Sequence, residues 1–123
     1  MADGLSTAVA NAALTTITGT DANDIALAVG DPGSAGTSNP SSVTTREAVP
    51  WGSASSGSIA ASNQPAWTNW AGTNGEVVTD IAFWSASTLG TFGLSMQLNS
   101  PVTMNTGDSL TLTSITISIP TAS

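Results

Sequence analysis

Side chains able to do acid–base or nucleophilic chemistry are scarce in this chain, whose 123 residues include no histidine and no cysteine and whose one cationic side chain is Arg46. General acid–base catalysis near neutral pH usually uses histidine or a lysine with a lowered pKa, and serine, threonine or cysteine nucleophiles depend on such a base. A carboxylate pair of the glycosidase type needs neither, and Glu47, Glu76 and Asp80 are the candidates for one. Carboxylates on the solvent side of strands are far commoner than catalytic pairs, so we expect no enzymatic activity and no catalytic residue.

A second group of polar residues has the oxygen ligands that Ca²⁺ prefers. Asp21, Asn23, Asp24 and Asp31 lie close together in the sequence. Their spacing lacks the glycine and the terminal glutamate of an EF-hand loop, and Asp and Asn also begin turns. We therefore expect turn residues, no bound metal and no cofactor.

The tryptophans and the lone arginine are the strongest candidates for binding. Trp67 and Trp70, with amide side chains nearby, could form a platform that stacks on sugar rings. Large aromatic side chains more often fill a core or a subunit interface, and we favour that interpretation. Arg46, alone among eight carboxylates, is expected to form a charge-assisted pair within or between subunits.

The charge balance excludes several classes of partner. A formal net charge of −7 with a single arginine opposes nucleic-acid binding, because phosphate contacts normally need Lys or Arg. The N-terminus lacks the cationic and apolar regions of a secretory signal, and no run of about 18 apolar residues predicts a membrane span. We expect a protein made in a cytoplasm, with no nucleic-acid partner, no membrane partner and no disulfides.

The apolar residues, 40% of the chain, are regularly phased, which favours an ordered fold despite 18 serines and 19 threonines. We expect a single domain over residues 1–123. A short helix is predicted over residues 4–18, capped by Asp3 or Ser6, with an apolar face that includes Leu5 and Val9 together with Ala12 and Ala13.

Period-two alternation predicts that the rest of the chain is extended. The segment 77–84 is the best candidate for a central strand. In the last strand, residues 109–119, the apolar parity changes near Thr113 or Ser114, which predicts a bulge or a strand covered on both faces. The pattern is typical of an all-β fold, either an antiparallel β-sandwich or a small barrel with a short N-terminal α-helix. The other predicted strands are 24–29, 44–51, 57–61, 92–98 and 102–104, and residues 63–70 are predicted to form an aromatic loop or irregular strand.

Several short motifs together resemble small virion proteins of tailed phages that infect actinobacteria, described as tail-fibre-like, minor tail or head decoration proteins. The motifs are the Ala-rich helix, Gly30-Asp31-Pro32-Gly33, Arg46 to Trp51, Gly57 to Ala60, and Ile81 to Ala86 followed by Gly90-Thr91-Phe92. The resemblance implies a β-sandwich that assembles as a symmetric homo-oligomer on the virion, without enzymatic activity.

The leading functional hypothesis is a capsid decoration, or cement, protein that stabilises the assembled head, expected as a trimer and bound to the major capsid protein. The first alternative is a minor tail or tail-fibre-associated subunit in contact with tail proteins. The second is a carbohydrate-binding module that recognises a host glycan through Trp67 and Trp70. The residues predicted to form the subunit interface are Arg46, Trp51, Trp67, Trp70, Ile115, Ile117 and Ile119.

Overall fold

The computed structural model describes residues 4–122 as a mainly antiparallel β-fold with one N-terminal helix, which confirms the predicted fold class. No helix within these residues is long and apolar enough to cross a membrane. The elements are α1 (Thr7–Thr16), a π-helical turn (Ile17–Asp21), β1 (Asp24–Ala28), β2 (Glu47–Ala48), β3 (Ser58–Ala60), β4 (Ala66–Trp67), β5 (Glu76–Trp84), β6 (Phe92–Met104), β7 (Leu110–Thr111) and β8 (Thr116–Ser118).

The helix begins as predicted at one of its two candidate caps. The Ser6 hydroxyl accepts a hydrogen bond from the backbone N–H of Val9 at 3.2 Å, while Asp3 lies outside the described residues. The predicted end at residue 18 is too early, because the chain continues as a π-helical turn to Asp21. The Thr18 hydroxyl donates to the carbonyl of Leu14 at 2.9 Å, a back-bond that satisfies this buried β-branched residue inside the helical segment.

The predicted apolar face of the helix is wrong. Ala10 and Leu14 are buried, whereas Leu5 and Val9 are 42% and 54% exposed. The small Ala10 side chain lies close to Gly57, whose N–H donates to the Asn11 side chain at 2.9 Å. Close approach to a glycine backbone therefore favours a small side chain at Ala10, while Leu14 is buried one turn further along the helix.

The main sheet has four antiparallel strands in the order β2-β1-β5-β6, so the predicted central strand is confirmed. The two predicted strands 92–98 and 102–104 are in fact one 13-residue strand, β6. Its register shifts, because Val78 pairs with Val102 while Asp80 pairs with Gln97, which leaves extra residues on β6 as a bulge. Pro101 is tolerated in this strand because β6 forms the edge of the sheet.

The predicted last strand is two strands that pair with different partners. Leu110 of β7 pairs with Trp67 of β4, and Ile117 of β8 pairs with Ile59 of β3. The parity change near Thr113 is therefore real, but its cause is the chain leaving one two-stranded ribbon and joining another rather than a bulge.

One face of the sheet packs against the ribbons to form the core. Ile25 pairs with Phe83 and Leu27 with Ile81, so these four side chains share the inner face. The layer opposite the sheet consists of two separate ribbons rather than a continuous second sheet. Its buried contributions are Trp67, Trp70, Leu110, Leu112 and Ile115.

Candidate functional site

The three carboxylates considered for catalysis do not form a pair. Glu47 pairs with Ile25, on the core face of β1, while Asp80 pairs with Ala28, on the opposite face. Glu76 and Asp80 lie four residues apart on β5, which corresponds to about 13 Å along a strand. Glycosidase carboxyl groups are separated by at most about 9.5 Å. The arrangement therefore lacks the geometry of that reaction.

Glu76 instead ties a loop to the start of β5. It accepts hydrogen bonds from the Ser41 hydroxyl at 2.6 Å and from the Ser42 backbone N–H at 3.0 Å. Partial burial raises the pKa of Glu76, but the hydrogen bonds from Ser41 and Ser42 lower it by more, so the net pKa lies below its usual value. Glu76 is therefore a charged acceptor at neutral pH, the opposite of a catalytic acid.

The oxygen-rich residues near the first strand have structural partners. An Asp31 carboxylate oxygen accepts from the N–H of Gly33 at 2.9 Å, as predicted for a turn residue. The Asn23 amide donates to the carbonyl of Ser85 at 3.1 Å, and Asp24 is buried in β1. Within residues 4–122 no group of three or more acidic, His or Cys side chains could hold a metal ion.

Trp67 and Trp70 lie in the core. They are 3% and 2% exposed, and their indole N–H groups donate to the carbonyls of Thr45 and Thr73 at 2.9 and 3.2 Å. An exposed sugar-stacking platform at these two residues is therefore wrong, because neither ring offers a face to solvent. The favoured interpretation was a core or a subunit interface, and the structure has these two side chains in the core.

The remaining predicted interface residues differ in exposure. Trp51 is half-buried, with its ring 6.0 Å from that of Phe83 and its indole N–H donating to the carbonyl of Ala22 at 2.7 Å. Ile115 is buried, whereas Ile117 and Ile119 are partly exposed. Contact of the seven predicted residues with a neighbouring subunit stays a prediction.

Arg46 has partners that sequence reasoning missed. Its guanidinium carbon lies 4.2 Å from the centre of the Trp84 ring, and Nη1 donates to the carbonyls of Ala86 and Leu89 at 2.9 and 2.7 Å. These are charge-assisted hydrogen bonds, as expected, but among the described residues the acceptors are carbonyls rather than carboxylates. The sequence signal that could have indicated this site is Trp84 directly before a polar turn, since carbonyls in turns often need an added donor.

Beside Arg46 the outer face of the sheet forms a groove of about 230 Å³. Its floor is made of small side chains, Ala26, Ala28 and Ala82, and residues 36–44 form one wall. Gly36, one of its lining residues, lies directly against Phe92, and a Cβ on Gly36 would clash with the Phe92 ring. We call this feature the alanine groove.

The alanine groove is suited to binding rather than to chemistry. Arg46 and Trp84 line its end, and no carboxylate is among its lining residues in the part of the chain that the structure describes. Its serine and threonine hydroxyls have no basic side chain among the lining residues to activate them, and the alanines offer a surface for an apolar group.

No curated protein matches the chain. The family model described as podophage GP4 fiber I protein gp80 matches residues 1–120, nearly the whole sequence, and this chain therefore belongs to that family of phage fibre proteins.

Proposed function

We propose that this protein is a tail-fibre subunit of a podophage particle. The chain is a virion component and a non-enzymatic structural protein, as its fibre family is. The family match over residues 1–120 carries the proposal. This match favours a tail-fibre subunit over a capsid decoration protein, which was the leading hypothesis from the sequence.

The structure supports a mechanical role through what its charged groups do. Arg46 is used to hold a turn, Asp31 caps another turn, and Glu76 ties a loop to a strand. The surface between them is rich in serine and threonine hydroxyls. Subunits with such surfaces can pack against neighbours without removing many charges from water, a step that is costly in most interfaces.

The location on the particle tests the proposal. Purified virions are labelled with an antibody against this chain and imaged, and the copy number is measured by quantitative mass spectrometry relative to the major capsid protein. A tail-fibre subunit is expected to label the tail and to be present in a small multiple of three or six copies. Particles from a phage that lacks the gene provide the labelling control. Labelling over the head, with hundreds of copies per particle, would contradict the proposal and support the capsid-decoration hypothesis.

A further inference from the structure

The most exposed large apolar side chain described in this structure lies in a strained turn. Leu89 is 87% exposed, its φ is +55°, and Gly90 after it has a φ of +78°. Two successive positive φ angles are usually occupied by Asn-Gly, because asparagine and glycine tolerate the left-handed region better than other residues. A leucine at the first position has a strained backbone conformation, and here its side chain is also exposed to water.

The turn is also held rigidly. The Leu89 carbonyl accepts from Arg46 at 2.7 Å, and the guanidinium is fixed in turn over the Trp84 ring. At its base, Ser85 and Thr91 exchange two hydrogen bonds, from the Ser85 N–H to the Thr91 carbonyl at 3.0 Å and from the Thr91 N–H to the Ser85 hydroxyl at 2.8 Å. The backbone that carries the Leu89 side chain is therefore held in one conformation, which lowers the backbone entropy lost when the side chain binds a partner.

The alanine groove lies next to this turn, because Arg46 both lines the groove and holds the Leu89 carbonyl. Its floor of Ala26, Ala28 and Ala82 is apolar, and its volume is about 230 Å³. An apolar cavity of about 150 Å³ accepts a benzene molecule. The groove is therefore large enough for the four-carbon side chain of a leucine.

Charge favours a second copy as the occupant. Two copies of a chain with a net charge of −7 repel each other over most of their surfaces. The described lining of the alanine groove has no carboxylate and includes the sole cation, Arg46, and residues 85–90 have no charged side chain. Residues 85–90 of a second copy therefore bring no carboxylate to the groove, and Arg46 partly offsets the negative charge of Asp80, which pairs with Ala28 on the same face.

We infer that Leu89 of one copy inserts into the alanine groove of a second copy. Because the projecting side chain and the groove are neighbours on one surface, a two-fold arrangement fills both grooves at once, and the interface is the same patch on each subunit. The role of this contact in the particle rests on the proposed fibre function. Association in solution is measured without virions, so a failure here is distinct from a failure of the tail assignment.

Sedimentation velocity over a concentration series tests the inference on the full chain. We expect the wild type to associate and Leu89→Asn to associate at least about tenfold more weakly. Asparagine tolerates a positive φ, so the thermal midpoint of this variant is expected to be no lower than that of the wild type. Val9→Asn is the matched control, because Val9 is 54% exposed but lies on the helix, and its association is expected to equal that of the wild type.

A second variant probes the groove. Ala26→Leu places a large side chain on its floor and is expected to weaken association as Leu89→Asn does, with circular dichroism reporting whether the fold is kept. If Ala26→Leu fails to fold, Leu89→Asn alone decides. A wild type that is monomeric up to its solubility limit overturns the inference, as does a Leu89→Asn variant that associates as tightly as the wild type.

Discussion

Replacement of Arg46 by alanine is expected to destabilise the fold more than replacement of any other charged residue. The change removes two hydrogen bonds from a charged donor and one contact with an aromatic ring. Hydrogen bonds of this type contribute about 1–2 kcal/mol each when partly exposed, and the cation–π contact contributes about 0.5–1 kcal/mol. The expected loss is about 2.5–5 kcal/mol of unfolding free energy, which corresponds to a fall of roughly 10–20 °C in the thermal midpoint for a chain of this size.

The assay is urea unfolding followed by tryptophan fluorescence, with Arg46→Lys as the first control. Lysine keeps the charge, but its ammonium cannot lie flat on Trp84, so we expect it to recover less than half of the lost stability. Asp108→Ala is the second control. Asp108 is exposed and accepts one hydrogen bond, from the N–H of Asn105 at 2.9 Å, so its loss is expected to be about 1 kcal/mol.

Two results would refute this reasoning about Arg46. A change of less than about 0.5 kcal/mol in Arg46→Ala is the size seen for ordinary surface substitutions and would mean that the contacts add nothing. Full recovery in Arg46→Lys would mean that the charge alone matters and that the stacked geometry does not.

Three further predictions concern the loops and the core. Gly36→Ala is expected to lose about 2 kcal/mol or more in urea unfolding, because the new methyl group meets Phe92 and the φ is +75°; Gly75→Ala, with a φ of +83° and no neighbour within 4 Å, should lose less. The pKa of Glu76 is lower in the folded chain than its usual value of 4.5, so the stability that it contributes is complete above that pH and is lost as the pH falls through the folded pKa. Glu76→Gln should therefore show a smaller loss of stability between pH 7 and pH 3 than the wild type, and equal losses would contradict the hydrogen-bonding argument. Phe83→Ala is expected to cost about 3–5 kcal/mol, since the ring is fully buried, and a loss below about 1 kcal/mol in the same assay would show that the core collapses around the gap.

The strands that could be predicted are those whose large apolar residues alternate with polar or small ones. Ile81 and Phe83 alternate with partly polar neighbours along β5, and this period of two is a local property of the sequence. The parity change after Leu112 was also visible locally. Its cause was not, because the switch from β4 to β3 as partner depends on residues about 45 to 60 positions earlier in the chain.

The helix shows where local pattern fails. Leu5 and Val9 have the spacing and the size of core residues, yet Ala10 and Leu14 are buried. The face of the helix that is buried depends on the surface it packs against. At Gly57 this surface is a glycine backbone, which only a small side chain can approach closely. No periodicity within the helix encodes that partner.

The site around Arg46 was unpredictable for a related reason. Arg46 and Trp84 are separated by 38 positions, but Arg46 directly precedes β2, Trp84 ends β5, and both strands pair with β1 at Asp24 and Ile25, which brings the two residues together. Burial of Trp67 and Trp70 was favoured from residue type alone, but their spacing does not fit strand alternation, so their positions in the core could not be predicted. Their burial follows from pairing of β4 with β7 and from hydrogen bonds between indole groups and distant or local carbonyls.

The internal use of Arg46 constrains how copies of this protein can meet. With its one cationic side chain occupied by carbonyls and an indole ring, the chain has little positive charge to offer a neighbour's carboxylates. The electrostatic interaction between copies is then mostly repulsion between chains of charge −7. At 0.1 M, salt largely screens this repulsion between charges more than about 10 Å apart. Attraction must come from apolar groups such as Leu89 and from hydroxyl and backbone hydrogen bonds, which salt does not weaken in the same way. Added salt should therefore favour assembly of this fibre protein, whereas an interface built from salt bridges would be weakened by it.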